Sequence, residues 1–116
     1  MQKIKLTLGG RHFSGELVDS SAARALAARL PATMSFVEHN GNEKYHEFPA
    51  PLPADPQRVG QIHSGDLMLY GETRLVLFYQ TFTTGYLYTP LGHLEDDGTL
   101  AETLGKGGFT AIVSLM

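Results

Sequence analysis

Hydrophobic and polar residues alternate with a period of two over most of this chain, and that period predicts strands. In KIKLTL, residues 3–8, the side chains of Ile4, Leu6 and Leu8 alternate with Lys and Thr, the pattern of a half-buried strand. Gly9-Gly10 makes a good two-residue turn, because glycine accepts the positive φ such turns demand. Pairing across it sets Leu6 opposite Phe13. The period changes once, in DSSAARALAARLP, where Ala22, Leu26 and Leu30 share one face with Ala23 beside them. Asp19 or Ser20 can cap this helix and Pro31 stops it. Arg24 and Arg29 point away from that face, most simply into solvent.

Residues 33–39 and 42–48 flank Asn40-Gly41, the strongest short-range hairpin signal in the chain. The prolines at 49, 51, 53 and 56 then rule out helix or central strand and predict an extended surface loop. The most apolar part, GDLMLYGETRLVLFYQTF, predicts strands over 66–70 and 74–80 around a tight Gly71 turn. YLYTPLGHL continues as a strand broken near Pro90 and Gly92. Thr99 and Glu102 have capping-box spacing for a short helix that Gly105 ends. GFTAIVSLM closes the chain as a strand, with Phe109, Ala111, Val113 and Leu115 on one face.

The sum is about eight short strands, mostly hairpin-linked, with two short helices inserted. Eight strands can close into an antiparallel barrel filled by side chains, with the helices over its ends. An open sheet packed on one helix is the alternative. At 116 residues the chain is read as one domain, 1–116.

Composition narrows the function classes. A net charge of −3, with scattered Lys and Arg, gives no electrostatic case for nucleic acid. Cysteine is absent, which excludes disulfides, thiol catalysis and thiolate metal sites. MQKIKLTLGG lacks the apolar stretch of a signal peptide, and no run approaches the ~20 apolar residues a membrane helix needs. A cytoplasmic location is expected.

The stretch HNGNEKYHEFP, residues 39–49, concentrates imidazoles and carboxylates. A two-residue Asn-Gly loop would pair His39 with Asn42, Glu38 with Glu43, Val37 with Lys44 and Phe36 with Tyr45. His39 and His46 would then share a face with Lys44, while Glu43 lies opposite beside Tyr45. That disperses candidate metal ligands, so neither metal nor cofactor is expected. Glu38 facing Glu43 would be a like-charge pair able to share a proton. The alternatives are that both carboxylates splay into water, or that a bulge shifts the register and offers Glu38 to Lys44. GKGG at 105–108 lacks the spacing of a phosphate loop and precedes a strand, so a helix terminus and a turn explain it better.

The order and spacing of SSAARALAARLP, GNEKYHEFP, GDLMLYG, LVLFYQ, LGHL and GKGGFTAIVSL resemble the cyclophilin-like fold. More closely, they resemble the small bacterial cyclophilin-like domain proteins, whose role is largely unassigned. The resemblance spans the whole chain. True cyclophilins are peptidyl-prolyl isomerases, with a catalytic arginine on the strand after the first helix. Here no arginine occurs between Leu30 and Gln57, and Lys44 is the only cation in that hairpin. A lysine cannot offer the same planar two-pronged hydrogen bond. LVLFYQ is similar to the strand lining the isomerases' proline pocket, with Phe78 as nearest equivalent, and the resemblance places Tyr88 about where the groove histidine would be.

Aromatic residues are dense in the middle of the chain, and most strand aromatics fill cores. Alternation forces Phe78 and Tyr79 to opposite faces, so one of them lines the outside. Phe78, Tyr88 and Phe48 are the expected groove, with Glu43 and Tyr45 beside it. No catalytic residue is assigned. The function expected is binding of a peptide segment or small molecule in a shallow aromatic groove. A weak prolyl isomerase using Lys44 or Tyr88 as donor, and a self-associating module forming homo-oligomers, are the alternatives.

Overall fold

Strand hydrogen bonding in residues 2–116, described by a computed structural model, runs antiparallel around a closed barrel. The elements are β1 (Lys3–Leu8), β2 (Arg11–Leu17), α1 (Ser21–Ala27), β3 (Ala32–His39), β4 (Glu43–Glu47), β5 (Gln57–Arg58) and β6 (Gln61–Ile62). They continue with β7 (Asp66–Tyr70), β8 (Arg74–Phe78), β9 (Phe82–Thr83), β10 (Leu87–Leu94), α2 (Leu100–Leu104) and β11 (Phe109–Leu115). The wall runs β2-β1-β11-β3-β4-β8-β7-β10, and pairing of β10 with β2 closes it. The expected eight-stranded barrel is therefore formed. Three further strands of two residues each lie outside it: β5 on the edge of β10, and the ribbon β6–β9.

Closure depends on two glycines. At the seam, Gly15 pairs with Leu94 and Gly92 with Leu17. A Cβ on Gly15 would collide with the His93 carbonyl and lie 2.8 Å from Leu94 Cα. One on Gly92 would collide with the Glu16 carbonyl and lie 3.0 Å from Leu17 Cα. Absent side chains let the two backbones approach closely. The register of β10 against β7 also shifts between Pro90 and Gly92, where the sequence predicts a break.

The interior is filled by the inward residues of each strand, among them Ile4, Leu6, Phe13, Met34, Phe36, Leu69, Leu75, Leu77 and Val113. Leu6 faces Phe13 across the first hairpin, as the pattern requires. Each such side chain, fully buried, contributes about 1.5–3 kcal/mol. α1 adds Ala22, Ala23, Leu26 and Ala27 to this core, and α2 adds Leu100 and Leu104. The helices sit at opposite ends. Arg29, just after α1, bonds the Ala50 and Pro51 carbonyls beyond the end of β4, whereas Gly105, just after α2, meets Lys44 near its start.

Local details settle one alternative of the sequence reading and depart from it in two places. Of the two candidate caps Ser20 serves α1, its Oγ accepting from Ala23 N at 3.1 Å. Arg29 is not simply solvated: it anchors the proline-rich loop at 2.9 and 2.8 Å and lies over the Phe48 ring at 5.0 Å. The Thr99–Glu102 capping box is not made. Thr99 donates to Asp97 instead, and Asp96 Oδ1 accepts from Gly98 N and Leu100 N at 2.8 and 3.2 Å.

A second apolar cluster lies on the outside of the wall. Met68, Val76, Phe78 and Tyr88 point outward from β7, β8 and β10 and are covered with Ile62 and Phe82 of the β6–β9 ribbon. This explains why β7 and β8 are buried along almost their whole length, on both faces. No helix among the described residues is long and apolar enough to cross a membrane.

Candidate functional site

The β3–β4 hairpin sets the site, and its register differs by one residue from the two-residue-loop expectation. Val37 pairs with Tyr45, Glu38 with Lys44 and His39 with Glu43. Asn40, Gly41 and Asn42 together form the loop, with Asn40 at φ 58° and Gly41 at φ 68°. Two consecutive residues in the left-handed region suit Asn-Gly, and the third residue absorbs the shift. Of the alternatives open from sequence, the shifted register that offers Glu38 to Lys44 is the one formed.

One consequence is a charged unit inside the barrel. The Lys44 side chain is 0% exposed. Its Nζ donates to the Gly105 and Gly107 carbonyls at 2.7 and 2.6 Å and lies 3.2 Å from Glu38 Oε1. Tyr79 Oη donates to the same Glu38 oxygen at 2.6 Å, and Gly41 N donates to Oε2 at 2.8 Å. Burial pushes the Glu38 carboxyl up, but these donors outweigh it and hold the pKa below the usual carboxylate value. The GKGG segment thus presents carbonyls to a cation, the opposite polarity from a phosphate loop. All three ammonium protons have acceptors, so Lys44 is not a free donor for a ligand.

The other consequence appears outside. His39 and Glu43 face each other on the outer surface, and Tyr45 follows on the same side. His46 instead turns inward, 5.9 Å from Phe36 and 5.1 Å from Phe48 between ring centroids. The two histidines therefore do not share a face, contrary to the pairing expected from sequence. No cluster of three metal-capable side chains occurs among the described residues.

Above the outer apolar cluster lies a cleft of about 240 Å³, lined by Glu43, Tyr70, Arg74, Tyr86 and Tyr88, with His39 and Asn40 at its edge. Phe78 does not line it but backs one of its walls: its ring meets Tyr88 edge-on at 5.5 Å and 90°. Arg74 lies over the Tyr45 ring at 4.0 Å and donates from Nε to Glu47 Oε1 at 2.6 Å. Hydrogen bonds from Arg74 and from Thr73 Oγ1, the latter at 3.0 Å, hold Glu47 below the ordinary carboxylate range. Burial pushes the Glu43 carboxyl up, only partly offset by the charges of His39 and Arg74. Burial, then the Glu43 charge, pushes the Tyr88 phenol up to about 12, so it stays neutral.

Of the residues expected at a groove, Glu43 and Tyr88 line this cleft and Tyr45 flanks it under Arg74. Phe78 faces outward as alternation requires but is 0% exposed, because the β6–β9 ribbon lies over it and the Phe82 ring packs against it, tilted by 57°, at 5.6 Å. Phe48 is not brought to the cleft at all: it belongs to the interior core beside His46 and Arg29. The grouping of Phe48 with Phe78 and Tyr88 is therefore corrected, since the three occupy opposite sides of the barrel wall. Sequence reasoning missed Tyr70, Tyr86 and Arg74. The pairing of Tyr70 with Arg74 across the Gly71 turn was a usable signal for two of them.

A second polar group sits apart. His93 Nδ1 lies 2.9 Å from Asp66 Oδ1, and Asp66 Oδ2 accepts from His63 N at 2.8 Å. Ser64 Oγ donates away, to Asp96 at 2.6 Å. This arrangement ties the turn before β7, where the sequence places His63, and it aligns no nucleophile with the imidazole.

Comparison with known proteins agrees with this architecture. No curated protein matches the chain. Among solved structures, a hypothetical protein from Archaeoglobus fulgidus, determined in solution, superimposes with a TM-score of 0.72 at 14% identity. The match covers 99% of this chain and 95% of that one, a likeness of fold. The model of the cyclophilin-like family matches residues 6–115, so this chain belongs to the cyclophilin-like family.

Proposed function

We propose that this barrel is a binding protein that takes a peptide segment or small molecule in the outer tyrosine-lined cleft, without catalysing a reaction. The observation that carries this reading is the convergence of Tyr70, Tyr86 and Tyr88 with Glu43 at one depression. Binding sites combine aromatic walls with placed polar groups, and in this cleft three tyrosines stand beside Glu43, Arg74 and His39 in a lining more polar than apolar. Its volume is below the ~300–1,000 Å³ of pockets for drug-sized ligands, so it accepts one side chain or a small head group.

The isomerase reading has less support. Proline isomerisation needs a donor to the prolyl nitrogen beside an apolar ring pocket. Lys44 is fully enclosed with its protons committed, and Phe78 is covered. Amide NMR titration with a fragment set and with proline-containing peptides tests the proposal: shifts should gather at Glu43, Tyr70, Tyr86 and Tyr88. Shifts confined elsewhere would refute the site. Protease-coupled turnover of a proline peptide well above the uncatalysed rate would refute the non-catalytic reading.

A further inference from the structure

We propose that the cleft recognises a trialkylammonium group, carried by a small molecule or by a methylated lysine side chain. The inference rests on the binding role proposed above and specifies its ligand.

Glu43 is the first argument. Its carboxylate lines the cleft, is half-buried, and has no hydrogen bond or ion pair among the described residues. Every other carboxylate on this wall is satisfied: Glu38 by Tyr79, Gly41 and Lys44, and Glu47 by Thr73 and Arg74. A carboxylate partly withdrawn from water and without a partner is left undercompensated, and a cation seated beside it would supply the missing charge.

The rings are the second. Tyr70 and Tyr88 have centroids 5.6 Å apart at 54°, and Tyr70 and Tyr86 are 6.4 Å apart at 86°. Mutually inclined rings form the walls of a box, and their negative π faces attract alkylated ammonium ions. Tyr88 is held in place by the edge-on contact with Phe78. Tyr86 is 66% exposed, a wall that a ligand would cover.

Arg74 and His39 are the groups that argue for an anion instead. The Arg74 charge is already engaged, with Glu47 at 2.6 Å and the Tyr45 face at 4.0 Å. His39 pairs across the strands with Glu43, whose charge opposes any incoming anion. The unmatched charge in the cleft is thus negative.

Amide NMR titration of the whole chain with choline, and with neohexyl alcohol, in which carbon replaces the charged nitrogen, tests the inference. Choline should shift Glu43, Tyr70, Tyr86 and Tyr88 and bind at least about tenfold more tightly than the alcohol. Glu43→Gln should remove most of that preference. Tyr86→Ala, at an exposed position, should weaken choline without altering the thermal midpoint. A peptide bearing trimethyllysine binding more tightly than choline would assign the source as a protein side chain, and the reverse a small molecule. Equal affinity for choline and the alcohol, or preference for acetate, would overturn the cationic ligand while leaving the cleft a binding site. If choline fails to shift the cleft, the cationic ligand also falls. Failure of every fragment there would remove the binding role itself.

Discussion

Lys44 Nζ lies 3.2 Å from Glu38 Oε1, with the lysine fully enclosed in the barrel and the glutamate directly across the β3–β4 pair. The pair joins the hairpin to the segment after α2, since the same ammonium holds the Gly105 and Gly107 carbonyls. A buried charge so placed is costly to leave unpaired, whatever its net contribution when intact.

Replacing one partner should therefore cost far more than replacing both. Lys44→Met leaves Glu38 and two carbonyls without their cation and should lower stability by about 3–5 kcal/mol. The double variant Lys44→Met/Glu38→Gln should recover part of that loss. Urea denaturation of the single and double variants measures the coupling. A loss below about 1 kcal/mol in Lys44→Met would contradict the arrangement.

The same unit makes stability depend on acid. Burial raises the Glu38 pKa, but hydrogen bonds from Tyr79 and Gly41 and the Lys44 ammonium bring it below the unfolded value. A depressed folded pKa stabilises the protein above the unfolded pKa, and that contribution disappears as pH falls through the folded pKa. Wild-type stability should thus fall as the pH drops below about 5 and through the depressed folded pKa of Glu38. Glu38→Gln should be less stable at neutral pH and show a shallower fall over that window. Parallel pH profiles for the two proteins would exclude Glu38 as a source.

Barrel closure should be sensitive to a single methyl group. Gly15→Ala would drive Cβ into the His93 carbonyl and to 2.8 Å from Leu94 Cα, at the β2–β10 seam. The expected cost is about 2 kcal/mol or more, with faster amide exchange in both seam strands. Gly10→Ala, where a Cβ meets nothing within 4 Å, is the control and should change little. Equal stabilities for the two variants would show that the seam yields without strain.

Period and turn chemistry made much of the fold legible. The alternation of Ile4, Leu6 and Phe13, the Ser20 cap, the Pro90–Gly92 break and the closing strand all appear where local rules put them. Local rules work there because each strand buries one face, and a slip of one residue would expose it. They were insufficient at Asn40-Gly41. The dipeptide fits loops of two or three residues, and the shift between them changes which residue Glu38 meets.

The chain by itself thus determined a set of short antiparallel strands able to close into a barrel, the places where it turns, and the scarcity of cations in the Asn40-Gly41 hairpin. Tertiary structure decided the rest, because each decisive contact joins segments distant in sequence. Lys44 became internal through carbonyls 61 and 63 residues away. Phe78 was covered by the β6–β9 ribbon, and Phe48 was drawn to the core beside α1. Tyr70, Arg74, Tyr86 and Tyr88 met Glu43 only because β4, β8, β7 and β10 lie side by side in the closed wall. Alternation gives the side of a strand on which a residue lies; what packs over that side depends on long-range burial of apolar surface, which no short stretch of sequence encodes.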